Sequence, residues 1–163
     1  MVSRICQSRS ESSASSASRR FLVSLGGGAF YGCSALGYVD LPAGLSAIGA
    51  ETFDGCSSLG SVNIPEGVTS IGAQAFNGCG SLGSINIPGS VSEIGSSAFN
   101  NCVGLGCITI PDSVSSMGSG VLAGCSGLSS VTLSSGMSSI PELTLYGCSS
   151  LGSVSIPGSV GSI

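Results

Sequence analysis

Thr52-Phe53-Asp54-Gly55-Cys56-Ser57-Ser58-Leu59-Gly60-Ser61-Val62-Asn63-Ile64-Pro65-Glu66-Gly67-Val68-Thr69-Ser70-Ile71-Gly72-Ala73-Gln74 is one period of a pattern that begins again at Ala75-Phe76. The period is 23 residues, with starts at Ala29, Thr52, Ala75, Ala98, Val121 and Thr144. Cysteine recurs at one place in it, at Cys33, Cys56, Cys79, Cys102, Cys125 and Cys148. Three residues before each stands Phe30, Phe53, Phe76, Phe99, Leu122 or Leu145, and three after stands Leu36, Leu59, Leu82, Leu105, Leu128 or Leu151. No insertion breaks the register. A strict period of this length marks stacked repeats, each of which buries its apolar side against its neighbours.

Within the unit, Val62 and Ile64 alternate with polar residues, the pattern of a short strand with one buried face. Leu59 sits at the turn leading into it. Pro65 removes a backbone donor, so the strand ends there. Val68 and Ile71 supply a second apolar pair. Gly72 then predicts a tight turn or a positive φ. Ala75-Phe76 and Cys79 return the chain toward the next strand, with space for one short helical turn around Phe76. One unit alone buries too little to offset the entropy of ordering it, whereas stacked units share their burial through parallel strands. The expectation is a repeat solenoid of short parallel β-strands and turns with little helix. It occupies residues 21–163, about six units, preceded by a disordered Ser/Arg-rich tail over residues 1–20. Leu22-Val23-Ser24-Leu25-Gly26 reads as the back half of an earlier unit. Neither end shows a polar capping unit, which implies further repeats or end-to-end self-association.

Composition excludes several functions. Histidine is absent, which removes Ser-His-Asp and Cys-His activation of a nucleophile and the commonest metal ligand near neutral pH. Charged residues make up only 7% of the chain, and the basic ones, Arg4, Arg9, Arg19 and Arg20, all lie in the tail. From Phe21 onward the chain carries Asp40, Glu51, Asp54, Glu66, Glu93, Asp112 and Glu142 and no positive side chain. Such a body cannot neutralise phosphates, so neither nucleic acid nor an anionic membrane surface is an expected partner. The apolar stretch Phe21-Leu22-Val23-Ser24-Leu25 is too short for a signal peptide or a membrane span, and none is seen in this sequence. The tail loosely suits a transit peptide but lacks an apolar face, and Cys6 within it has no expected structural role. Gly26-Gly27-Gly28 lacks the lysine of a phosphate loop and reads as a turn.

The six periodic cysteines allow three readings. A 23-residue spacing without histidine does not fit a compact zinc site, so no metal is expected. Adjacent rungs bring equivalent Cα atoms within disulfide range, but equivalent side chains in a parallel stack point the same way rather than converging. A ladder of buried thiols is favoured, with inter-rung disulfides as the alternative. Cys107 differs: it holds the place of Ser61, Ser84, Ser130 and Ser153 and is expected to face solvent, where drift from serine explains it.

The strings Ser61-Val62-Asn63-Ile64-Pro65, Val68-Thr69-Ser70-Ile71-Gly72 and Ala75-Phe76-Asn77-Gly78-Cys79 resemble the BspA-like class of leucine-rich repeat, over about residues 21–163. The resemblance implies a solenoid whose strands line a concave face, and roles in adhesion or protein recognition, often at the cell surface or in secreted proteins. Val121-Leu122 and Thr144-Leu145 depart from Ala-Phe, Ser134 replaces the proline after the strand, and Pro141 replaces the glycine. The C-terminal units are accordingly expected to be looser or turned.

On such a face the outward positions are Tyr38, Asp40, Ser61, Asn63, Ser84, Asn86, Cys107, Thr109, Ser130, Thr132, Ser153 and Ser155. These, without Cys107, form the candidate binding set. Only Tyr38 is of a type that usually anchors an interface. The function expected is a non-enzymatic recognition or adhesion module without cofactors, with an unidentified protein or cell-surface partner. The alternative is a structural spacer within a longer repeat array. Ice binding through a Ser/Thr face is a remote third, since the threonines are few and misaligned.

Overall fold

A computed structural model describes residues 24–162 of the chain. The expectations for the tail, Cys6, Leu22 and Val23 lie outside the described residues. The period becomes three parallel hydrogen-bonded ladders that run the length of one solenoid.

The first ladder is built from the Leu-x-x-Val-x-Ile segments. It contains β1 (Tyr38–Asp40), β3 (Ser61–Asn63), β6 (Cys107–Thr109) and β8 (Ser130–Thr132). β1 pairs with β3 and β6 with β8, both in parallel, each residue facing the one 23 positions on. Isolated bridges at Asn63–Asn86, Ser84–Cys107 and Thr132–Ser155 carry the same register between these pairs and beyond. Alternation sends Val62, Ile85, Ile108 and Val131 inward, where they are buried.

The second ladder joins β2 (Ala47–Ile48), β4 (Ser70–Ile71), β5 (Glu93–Ile94) and β7 (Ser116–Met117), with Leu25 bridged to Ile48. After each strand a glycine follows, and it is there for close approach. A Cβ on Gly72 would stand 2.4 Å from the Ala50 nitrogen, and one on Gly95 2.4 Å from the Ala73 nitrogen. The positive φ expected at Gly72 falls two residues later, at Gln74 (φ 56), with Glu51 and Ser97 in the same left-handed conformation. That is a correction to the sequence reading. Glycine serves backbone contact between rungs, while polar side chains tolerate the left-handed turn.

The third ladder runs through the turn segments. Among the described residues no segment is helical, so the expected helical turn around Phe76 is absent. Its place is taken by linked turns, Cys79 N–H to Phe76 C=O at 3.2 Å and Leu82 N–H to Cys79 C=O at 3.1 Å. A helix would spend its N–H groups internally. Here alternate ones point to the next rung instead: Phe53 N–H donates to Ala75 C=O and Phe76 N–H to Ala98 C=O, both at 2.8 Å, while those of Ala75, Asn77 and Cys79 bond within the turns.

The core lies between the ladders. Phe30, Phe53, Phe76 and Phe99 form a continuous column with ring centroids 5.2, 5.2 and 5.4 Å apart and nearly parallel planes, within the range of offset aromatic stacking. Leu122 continues the column and is fully buried.

The expectation for the C-terminal units takes a specific form. Gly49, Gly72, Gly95 and Gly118 each donate their N–H to the preceding rung. The next equivalent is Pro141, which has no N–H to offer Met117. Among the described residues no bond of the second ladder crosses between Met117 and 138–141, and a hollow opens between Met117 and Met137. The ladder resumes where Ser139 pairs with Ser162. Ser134 is better accommodated. Ser90 and Ser113 donate their hydroxyls to the carbonyls of Val68 and Val91, but the next equivalent, Gly136, has none. The buried Ser134 hydroxyl replaces it, donating to Val114 C=O at 2.7 Å and accepting from Gly136 N–H at 2.9 Å.

Candidate recognition surface

The cysteine ladder is internal. Cys56, Cys79, Cys102 and Cys125 are buried. Each thiol lies 3.1–3.3 Å from a carbonyl oxygen one rung back, that of Phe30, Phe53, Phe76 and Phe99 in turn. An S–H is a weak donor, and cysteine joins it to a small apolar body suited to so dry a place. The cysteine thus caps the carbonyl of the residue that stacks. Burial pushes the Cys56 thiol up to about 11 and the Cys79 and Cys125 thiols up to about 12. Cys102 moves the same way. These thiols stay protonated near neutral pH and do not act as nucleophiles there. Six of the described cysteines are free, so no inter-rung disulfide joins them; Cys33 is disulfide-bonded. Among the described residues no cluster of cysteine and carboxylate side chains could hold a metal ion.

The outward face of the first ladder carries the sequence-derived positions in two parallel columns. One holds Tyr38, Ser61, Ser84, Cys107, Ser130 and Ser153, the other Asp40, Asn63, Asn86, Thr109, Thr132 and Ser155, and all are exposed. The pairings Tyr38–Ser61 and Cys107–Ser130 align the first column, and Asp40–Asn63 and Thr109–Thr132 the second. Adjacent members are therefore one strand spacing apart, about 4.8 Å. Tyr38, 60% exposed, is the one large side chain of the face. Asp40 is its one charge. A shallow depression between rungs is lined by Ser84, Asn86, Cys107 and Thr109. The solvent-facing thiol of Cys107 agrees with its place among serines.

Sequence reasoning did not anticipate the exposed apolar residues beside Pro141. Leu143 is 62% exposed with a φ of 59°, and Tyr146 is 70% exposed. A bulky side chain in the left-handed region is uncommon. The signal was legible in the repeat, since Leu143 aligns with Glu51, Gln74 and Ser97.

Short parallel strands repeating every 23 residues, with Leu-x-x-Val-x-Ile residues on their inner side, define a leucine-rich repeat solenoid. The family model for the BspA type leucine rich repeat region matches residues 12–121 and 46–163, in six copies, and the chain belongs to that family. Among solved structures it is similar to the leucine-rich repeat protein of T. pallidum, with 36% identity and a TM-score of 0.81 over 83% of this chain and 64% of that one. A leucine-rich repeat protein from Bacteroides ovatus is also 36% identical, with a TM-score of 0.79 over 83% of this chain and 35% of that one. The chain thus spans less than two thirds of either relative. The pneumococcal vaccine antigen PcpA shares the fold, with 22% identity and a TM-score of 0.71 over 88% of this chain and 39% of that one. No curated protein matches the chain.

Proposed function

We propose that the chain is a non-enzymatic recognition module that binds a protein partner through the outward face of its first ladder. The observation that carries this reading is the two-column face itself: side chains of one kind, in register and exposed, on a backbone fixed by ladders on either side. Such a face is pre-organised, so little ordering entropy opposes binding. Its small polar groups favour hydrogen bonds and shape over a broad area, with Tyr38 as the aromatic anchor. The buried thiols supply no nucleophile, which leaves the face as the part of the molecule suited to function. A protein outside the cell or on its surface fits the family's habit.

The test is binding of candidate extracellular proteins to the full chain by surface plasmon resonance, beside an Asn63→Arg/Asn86→Arg variant. Bulk at these two positions blocks the middle of the face without touching the core. Loss of binding in the variant with unchanged circular dichroism is expected. Equal binding by both proteins overturns the face assignment. A spacer role has one observation in its favour, the continuity of the 23-residue register through Ser162, and absence of any binding favours it.

A further inference from the structure

The described residues hold two methionines, and both stand at the open joint of the second ladder. The inward column of that ladder reads Ile48, Ile71, Ile94, Met117 and Ile140, and the core column beside it reads Leu45, Val68, Val91, Val114, Met137 and Val160. Each column thus exchanges a branched aliphatic side chain for a thioether only where the joint is open. Met117 and Met137 line the hollow there, about 200 Å³ in volume, beside Ser115, Ser116, Ser138 and Ser139. Those four serines are exposed, so the hollow opens to solvent. Its volume is several times that of a water molecule, which admits a small polar reagent.

Ile48, Ile71 and Ile94 are each 1% exposed, whereas Met117 is only partly buried. Methionine fills irregular gaps in cores. Gap filling accounts for Met137, which is 3% exposed. It leaves Met117 with a thioether on a hollow that water enters. Oxidation of a thioether makes it polar, and in a dry core the new oxygen is stranded without a donor. In this hollow donors are at hand, the serine hydroxyls and the Ser138 N–H. The equivalent N–H groups of Thr69, Ser92 and Ser115 donate to carbonyls one rung back, and that of Ser138 does not.

We propose that Met117 is a methionine-oxidation site, reached by a hydroperoxide through the open joint and converted to the sulfoxide while the solenoid stays folded. The sulfur lone pair attacks the terminal peroxide oxygen and an S–O bond forms as the O–O bond breaks. The proton of the attacked oxygen passes to the departing one. The thioether is oxidised by two electrons, and the peroxide is reduced to water or an alcohol. A methionine sulfoxide reductase is the class of enzyme that reverses the change. The site belongs to the second ladder and the Asn63–Asn86 face to the first, so this inference stands or falls apart from the recognition reading.

The test is a time course of hydrogen peroxide on the full native chain near pH 7, read methionine by methionine by peptide mass spectrometry. Met117 is expected to react within about tenfold of the rate of free methionine, and Met137 about a hundredfold slower or more, since it is reached only through local opening. Circular dichroism of the chain oxidised at Met117 is expected to match that of the untreated chain. Ile94→Met, a volume-conserving change, puts a thioether in the same column at a closed joint. Position 94 is expected to react as slowly as Met137. Three results overturn the proposal: Met117 as slow as Met137, position 94 as fast as Met117, or loss of the folded spectrum in step with oxidation of Met117.

Discussion

The rungs before Met117 and the rung around Pro141 obey the same period but are held together differently. Between Ile48 and Met117 every rung is tied to its neighbour by both sheets, by the turn ladder and by the aromatic column. Between Met117 and Pro141 the second sheet is open, and the joint is carried by the first sheet, the turn ladder and bonds such as that of Ser134 to Val114. Pro141 removes one N–H from this joint, and the Ser138 N–H, equivalent to those of Thr69, Ser92 and Ser115, makes no bond across it either. A repeat protein is nearly a sum of nearest-neighbour interfaces, so a defect at one joint lowers that joint and leaves the others as they were. The lesson is that the period records which side chains meet, while the backbone groups decide how firmly.

The comparison can be broken most severely with alkali. Burial raises the thiols of Cys79 and Cys125 from the ordinary thiol value of about 9 to about 12. Below pH 9 both folded and unfolded chains hold these protons and stability is unaffected. Above it the unfolded chain releases protons that the folded chain retains, so stability falls from about pH 9 through 12. A denaturation series in pH is expected to show that fall, and stability that is flat across this range contradicts dry thiols.

A smaller effect comes from the aromatic column. Phe76→Ala removes a fully buried ring stacked on both sides, with an expected loss of about 3–5 kcal/mol in urea unfolding. Leu122→Ala, past the end of the stack, is expected to cost less. Equal losses at the two positions contradict the special standing of the column.

The glycine ladder sharpens the contrast further. Gly95→Ala puts a methyl against the Ala73 backbone and is expected to cost about 1–3 kcal/mol or more, as overpacking does. Pro141→Gly does the reverse. It restores an N–H toward Met117 and a residue small enough for close approach. The expected gain is about 1 kcal/mol or less, the net worth of one hydrogen bond against the entropy of glycine. Hydrogen exchange reads it as new protection at residues 138–141. No change there shows that the break has a cause other than the proline.

Much of this was legible because the period averages over units. The inward Val62, Ile64, Leu59 and Phe53, the outward columns and the solvent-facing Cys107 all follow from alternation and register. What escaped has no side-chain signature. Gly72 reads equally as a positive-φ turn or a close approach, and only the position of the Ala50 nitrogen separates them. The Phe76 segment has the length of a helical turn, and its N–H groups are drawn away by carbonyls one rung later, which a one-dimensional reading cannot place. Pro141 was seen as a departure, yet its consequence depends on Met117 sitting opposite. The partner of the polar face is illegible for a different reason: serine, threonine and asparagine at these positions satisfy solubility and recognition alike.

The central claim is the register that turns one cysteine position inward and Cys107 outward. It is tested most directly by maleimide labelling of the native chain near pH 7 under mild reductant, read site by site by mass spectrometry. Cys107 is expected to react at the rate of an exposed thiol. Cys56, Cys79, Cys102 and Cys125 are expected to react slower by about 10³-fold or more, through unfolding alone. Labelling of any of those four as fast as Cys107, or protection of Cys107 with them, contradicts the account.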